Sequence, residues 1–148
     1  MSFGLCLPVI LASEGGYTFD VGGATQLGIT QRILSDYLGR SSTIADVKAL
    51  TPETVAPIYQ EMFWTPAKCD MLGQGPDLMH FDAAVNQGQG RAVRILQAAL
   101  GIPQDGVFGA QTQLALKGAL KTMGPVGLIN AMRAERELIY KSTTDFDV

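Results

Sequence analysis

The chain has 148 residues, a formal net charge of −3, two cysteines and one histidine. That length allows one domain with a sizeable core, or one domain with a small appended lobe. A lone histidine leaves little material for a histidine-based zinc site or a Ser-His-Asp triad, and no apolar run is long enough to span a membrane.

Phe3 to Ala12 is apolar and mimics a signal peptide, but no Lys or Arg precedes it. The segment reads as a first core helix, with Pro8 in its first turn, where a missing N–H does no harm. Residues 17–29 are rich in glycine and give the one plausible small sheet, a β-hairpin turned at Val21-Gly22-Gly23. Thr30 can cap a helix with Ile33, Leu34, Tyr37 and Leu38 on one face, ended by Gly39. Thr51-Pro52-Glu53 is a second start signal, followed at helical spacing by Val55, Ile58, Tyr59, Met62 and Phe63, with Pro66 beyond. Leu78, Phe81, Ala84 and Val85 give the next apolar face, closed by Gly88 and Gly90. Val93, Leu96, Ala99 and Leu100 follow, ended by Gly101. A loop with Asp105-Gly106 and Gly109 leads to a helix carrying Leu114, Ala115 and Leu116. Gly124-Pro125 opens a last helix, and the tail Ser142–Val148 is expected to fray. The fold class is therefore mainly α with a small β-hairpin region.

Residues 1–90 hold four Lys/Arg and nine Asp/Glu, whereas residues 91–141 hold seven and three. This change places a lobe boundary near residue 90, giving lobes of 1–90 and 91–148. The basic residues are too sparse, and too little interleaved with aromatics, to argue for nucleic acid. Cys6 and Cys69 show no metal-ligand spacing and read as reduced, partly buried thiols, while His80 reads as a surface or satisfied residue.

The chemistry concentrates between residues 14 and 30. Val9-Ile10-Leu11-Ala12 delivers Glu14 to the end of a buried helix, where poor solvation favours the protonated acid. The glycines of Gly22-Gly23-Ala24-Thr25-Gln26-Leu27-Gly28 then fold the chain back so that Asp20 and Thr25 can face it. Glycoside hydrolysis needs such an acid beside the leaving oxygen and usually a second carboxylate or a positioned water. Asp20 is the nearest second carboxylate, although a turn residue capping its own backbone is the plainer reading. Thr25 could hold a water, and Thr30 is a more distant candidate. Tyr17 and Trp64 could stack on sugar faces, with core packing the stronger reading for Trp64. Asn86 could bind an N-acetyl or hydroxyl group, or cap a helix end.

Glu14-Gly15-Gly16-Tyr17, Gly22-Gly23-Ala24-Thr25 and Gly28-Ile29-Thr30 together resemble the signature of glycoside hydrolase family 108. Phe63-Trp64-x-Pro66 and Phe81-Asp82-Ala83-Ala84-Val85-Asn86-Gln87-Gly88 are similar to two further segments of that family, in the expected order. Its members are phage endolysins and secretion-associated N-acetylmuramidases with a lysozyme-like helical fold. The resemblance implies Glu14 as general acid, helped by Asp20 and Thr25, cleaving the β-1,4 bond between N-acetylmuramic acid and N-acetylglucosamine. It implies no metal or organic cofactor. Only Thr18-Phe19-Asp20-Val21 separates Tyr17 from Gly22, where the family carries a longer stretch. Leu96-Gln97, Leu100-Gly101, Asp105-Gly106, Phe108-Gly109 and Thr112 resemble helical peptidoglycan-binding modules. The expected partner is bacterial peptidoglycan, with neither nucleic acid nor stable membrane insertion. The protein is expected to be made in the bacterial cytoplasm and to act in the periplasm or wall after release through a holin or secretion system. The alternative is a non-catalytic wall-binding or particle protein.

Overall fold

The computed structural model describes residues 2–147, with side chains described over 3–139. The chain folds as two compact units, Phe3–Thr65 and the stretch from Pro66 onward. The change in charge near residue 90 thus falls inside the second unit, where the helices on either side of Gly88 pack against each other.

The first unit opens with α1 (Ser2–Ser13). Phe3, Cys6, Leu7 and Ile10 are buried from one face of it. Pro8 lies inside this helix, not in the first turn as expected. The hydrogen bond that it removes would have gone to the carbonyl of Gly4, and both residues are exposed, so water can serve that carbonyl. Three short antiparallel strands follow: β1 (Thr18–Asp20), β2 (Gly23–Gln26) and β3 (Ile29–Thr30), in the order β1-β2-β3. Both connections are two-residue loops. In the second, Leu27 and Gly28 have φ of 52° and 80°, the positive pair that a tight hairpin turn of matching twist requires. The expected hairpin is therefore present, extended by a third strand.

Thr30 caps α2 (Gln31–Leu38) by accepting from the Ile33 N–H at 3.1 Å, and Gly39 closes it in the left-handed region. A five-residue helix, α3 (Ile44–Lys48), was not anticipated, although Thr43 and Asp46 carry the spacing of a reciprocal cap. The two cap bonds from Thr43, and then the Arg40 charge, hold the Asp46 carboxyl below its ordinary range.

Thr51 caps α4 (Pro52–Tyr59) as its Thr-Pro start predicts. The helix then widens into a π-turn over Gln60–Trp64, marked by the Thr65 N–H donating to the Gln60 carbonyl at 2.9 Å. Five residues along an ordinary helix would separate Tyr59 and Trp64 by roughly 140°. The wider turn brings both indoors, at 0% and 1% exposure, and leaves Met62 and Phe63 half-buried. The inserted residue moves the buried face from the expected Met62 and Phe63 onto Trp64.

The second unit begins with a 3₁₀ turn (Cys69–Met71) and four helices: α5 (Pro76–Gln87), α6 (Gln89–Leu100), α7 (Ala110–Thr122) and α8 (Gly124–Asp147). Gly88 separates α5 from α6, whereas Gly90 lies within the first turn of α6 and closes nothing. Leu72, Val93, Leu96, Phe108, Leu116, Leu128 and Met132 form one core. The fraying expected of Ser142–Val148 concerns residues whose side chains lie outside those described. Cys6 and Cys69 are both buried. No helix among the described residues is long and apolar enough to cross a membrane.

Candidate active site

Glu14 follows directly on α1, its backbone N–H turned back onto the Leu11 carbonyl at 3.2 Å. The side chain is half-buried. Its immediate neighbour is the Leu27-Gly28 turn, and Gly28 shows why a glycine stands there. A methyl group added at Gly28 would meet the Glu14 carboxyl carbon at 2.9 Å, the adjoining methylene at 3.0 Å and, closer still, the Tyr59 hydroxyl. A side chain at residue 28 would therefore displace the carboxyl, quite apart from the positive φ.

Two bonds tie this turn down. The Leu27 N–H donates to the Gly15 carbonyl at 3.2 Å, and the Tyr59 hydroxyl donates to the Leu27 carbonyl at 2.8 Å. Burial raises the Tyr59 phenol well above its ordinary range, and the negative charge of Glu14 raises it further. Tyr59 therefore remains a hydrogen-bond donor at any working pH.

The strand register gathers the other candidates. Thr18 pairs with Thr25, Thr25 with Thr30, and Asp20 with Gly23. Paired residues share a face and alternate residues repeat it, so Asp20, Thr18, Thr25 and Thr30 all lie on one face of the sheet. The Asp20 carboxylate accepts from the Gly22 N–H at 2.8 Å, the self-capping turn of the plainer reading, and the residue is exposed. Thr25 is half-buried on the central strand, while the Thr30 oxygen is engaged by its cap bond. Tyr17 is half-buried, with the Lys48 ammonium 5.1 Å from its ring centroid, so a sugar has only the opposite ring face.

Two expected substrate contacts change character. Trp64 is 1% exposed and packs edge-on against Phe3 at 5.4 Å, so it offers no face to a sugar. Asn86 belongs to the second unit and is exposed. Its amide nitrogen donates to the Asp82 carbonyl and carboxylate, both at 3.0 Å, within the same helix. Asp82 in turn pairs with Arg136 at 2.6 Å, and Arg136 donates to Gln87 at 2.8 Å, tying α5 to α8. Tyr59, which the sequence presents simply as one of an apolar series, is the residue that was missed. Its contact with the turn crosses 32 positions and leaves no local trace.

In the second unit, Gln97 is 1% exposed and holds the Asp105-Gly106 loop. Its nitrogen donates to Asp105 at 2.7 Å, to the Val107 carbonyl at 3.0 Å and to Thr112 at 3.2 Å. Its oxygen accepts from the Gly106 N–H at 3.0 Å. The Val107 N–H bond and that from Gln97 hold the Asp105 carboxyl below its ordinary range. Beside α7 lies a largely apolar cleft of about 540 Å³ lined by Met71, Gln113, Leu114, Leu116, Lys117 and Leu120.

Residues 7–88 match the family model described as Glycosyl hydrolase 108. The chain belongs to the glycosyl hydrolase 108 family. It is therefore a glycoside hydrolase, and the family's activity is that of a peptidoglycan-degrading N-acetylmuramidase. Among solved structures, it is similar to one titled "Structure of Brucella abortus SagA", at 38% identity and a TM-score of 0.80. The match covers 94% of this chain and 79% of that one. No curated protein matches. The mainly α, lysozyme-like fold with its small sheet agrees with the family.

Proposed function

We propose that Glu14 is the general acid of this muramidase. It protonates the glycosidic oxygen between N-acetylmuramic acid and N-acetylglucosamine as that bond breaks. The observation that carries this reading is the seat of the Glu14 carboxyl: half-buried, against a backbone that only glycine leaves open, at the end of a helix with an apolar core face. Asp20 and Thr25, on one sheet face, are assigned the opposite role: steadying positive charge on the sugar or holding the attacking water. In that role Asp20 acts while its carboxylate remains anchored to Gly22, with its second oxygen directed to the reaction. Tyr17 offers its open ring face to the sugar and the Thr30 oxygen accepts from its hydroxyl or amide groups, while in the second unit the exposed Asn86 is assigned a substrate contact of its own.

The test is digestion of purified sacculi with wild type and Glu14→Gln, followed by borohydride reduction and mass spectrometry. Fragments ending in reduced muramic acid are expected from wild type alone. Continued release by a folded Glu14→Gln variant would remove Glu14 from the reaction.

The second lobe is proposed to hold the wall. Its support is the apolar cleft beside α7, where Leu114 is 74% exposed next to Lys117. An apolar floor with one cation suits a sugar face next to a peptide carboxylate. A bacteriolytic role of endolysin type, with release by a holin or secretion system, rests on the resemblance of the Glu14–Tyr17 and Phe81–Gly88 segments to phage endolysins.

A further inference from the structure

The Leu27-Gly28 turn raises a question that the general-acid role does not answer. Leu27 is a non-glycine residue at φ 52°, a conformation that costs about 1 kcal/mol or more. Such a residue persists only where its surroundings over-determine it. Here both of its backbone polar groups are pinned, the N–H by Gly15 and the carbonyl by Tyr59. Gly15 is the residue after Glu14. Tyr59 closes α4 and is fully buried. The turn is thus clamped between the segment that carries the acid and the last residue of a core helix.

From this geometry we infer that Tyr59 is a positioning residue for the Glu14 carboxyl. Its hydroxyl fixes the Leu27 carbonyl, which fixes Gly28, and the phenol oxygen and the Glu14 carboxyl border the same small space beside the Gly28 backbone. The proton of the phenol is committed to Leu27. Tyr59 does not touch the substrate. It acts by holding the acid where proton transfer is in line, and a displacement of about 1 Å can cost on the order of a hundredfold in rate. This inference rests on Glu14 being the general acid.

The test compares wild type, Tyr59→Phe and Glu14→Gln on soluble peptidoglycan fragments, with kcat and KM determined separately and rates normalised to the folded fraction. Tyr59→Phe keeps the ring and its packing. The expected result is a kcat lowered about ten- to a hundredfold with KM unchanged, at temperatures where circular dichroism shows the native fold. A purely structural tyrosine would lower the melting temperature and leave kcat per folded molecule at the wild-type value, and that result overturns the proposal. Activity in Glu14→Gln would instead remove the acid assignment, so the two failures are distinguishable. Should Tyr59→Phe fail to fold, Gly28→Ala must give the same kcat-selective loss, because its methyl group pushes on the Glu14 carboxyl. Wild-type kcat in that variant overturns the proposal equally.

Discussion

Two glycine-bearing turns, one in each unit, look alike in sequence and are used in opposite ways. In the first unit, Leu27-Gly28 is held from behind by Gly15 and Tyr59, and its front lies against a half-buried carboxyl. In the second, Asp105-Gly106 is filled from within by Gln97, whose amide makes four hydrogen bonds to the loop and to Thr112. The polar groups of the second turn are spent on one another, which makes it a rigid corner between α6 and α7. The first turn lies against a half-buried carboxyl, to which the reading given above assigns the proton transfer. A glycine-bearing turn is thus not by itself the mark of a site.

Gln97→Ala should break this comparison on the structural side. It strips partners from the Gly106 N–H, Val107 and Thr112 together and leaves a cavity, for a loss of about 4 kcal/mol in the stability of the second unit. Chemical denaturation followed by hydrogen exchange of α6 and α7 measures it. A change below about 1 kcal/mol would mean that the loop is held by something other than Gln97.

His80 should give a smaller effect that depends on pH. Its ring is fully buried, with Nε2 against the Ala67 carbonyl at 2.9 Å and Nδ1 without a hydrogen-bond partner. Burial pushes its pKa down to about 4 from 6.5, and the Ala67 bond opposes this only in part. The folded protein therefore holds His80 neutral while the unfolded chain takes up a proton near pH 6.5. Stability is fully present above that pH and declines as pH falls toward 4, by on the order of 3 kcal/mol. Melting curves of wild type and His80→Leu between pH 7 and 4 should converge on acidification. Parallel curves would show that His80 is not the group responsible.

The smallest effect sharpens the functional side. Leu114→Asp, on the exposed edge of the α7 cleft, should weaken co-sedimentation with sacculi several-fold without changing the fold. Unchanged sedimentation would leave the second unit with a structural role alone.

Much of this was legible in the sequence because the signals are local. Thr30, Thr51, Gly39 and Gly101 mark helix ends where their side chains or positive φ act within one turn of the chain. The place of Glu14 at the end of α1 was legible too, since an apolar helix followed by Glu-Gly-Gly is a contiguous pattern. Three features were not. The π-turn shifts the buried face by one residue, and a 3.6-residue period cannot anticipate an inserted one. The division of the chain at 65/66 follows packing, whereas the change in charge near 90 follows surface composition. Tyr59 has the spacing of a core residue and is one. That its hydroxyl reaches Leu27, beside the acid, depends on contacts far apart in sequence.

The most direct test of the account sets Glu14→Gln beside Gln97→Ala and counts new reducing ends per folded molecule on soluble peptidoglycan fragments. The account predicts none from Glu14→Gln at full stability, and near-wild-type turnover from Gln97→Ala below its lowered melting temperature. Turnover by Glu14→Gln, or its loss from folded Gln97→Ala, would contradict the division between a turn that serves the reaction and a turn that serves the fold.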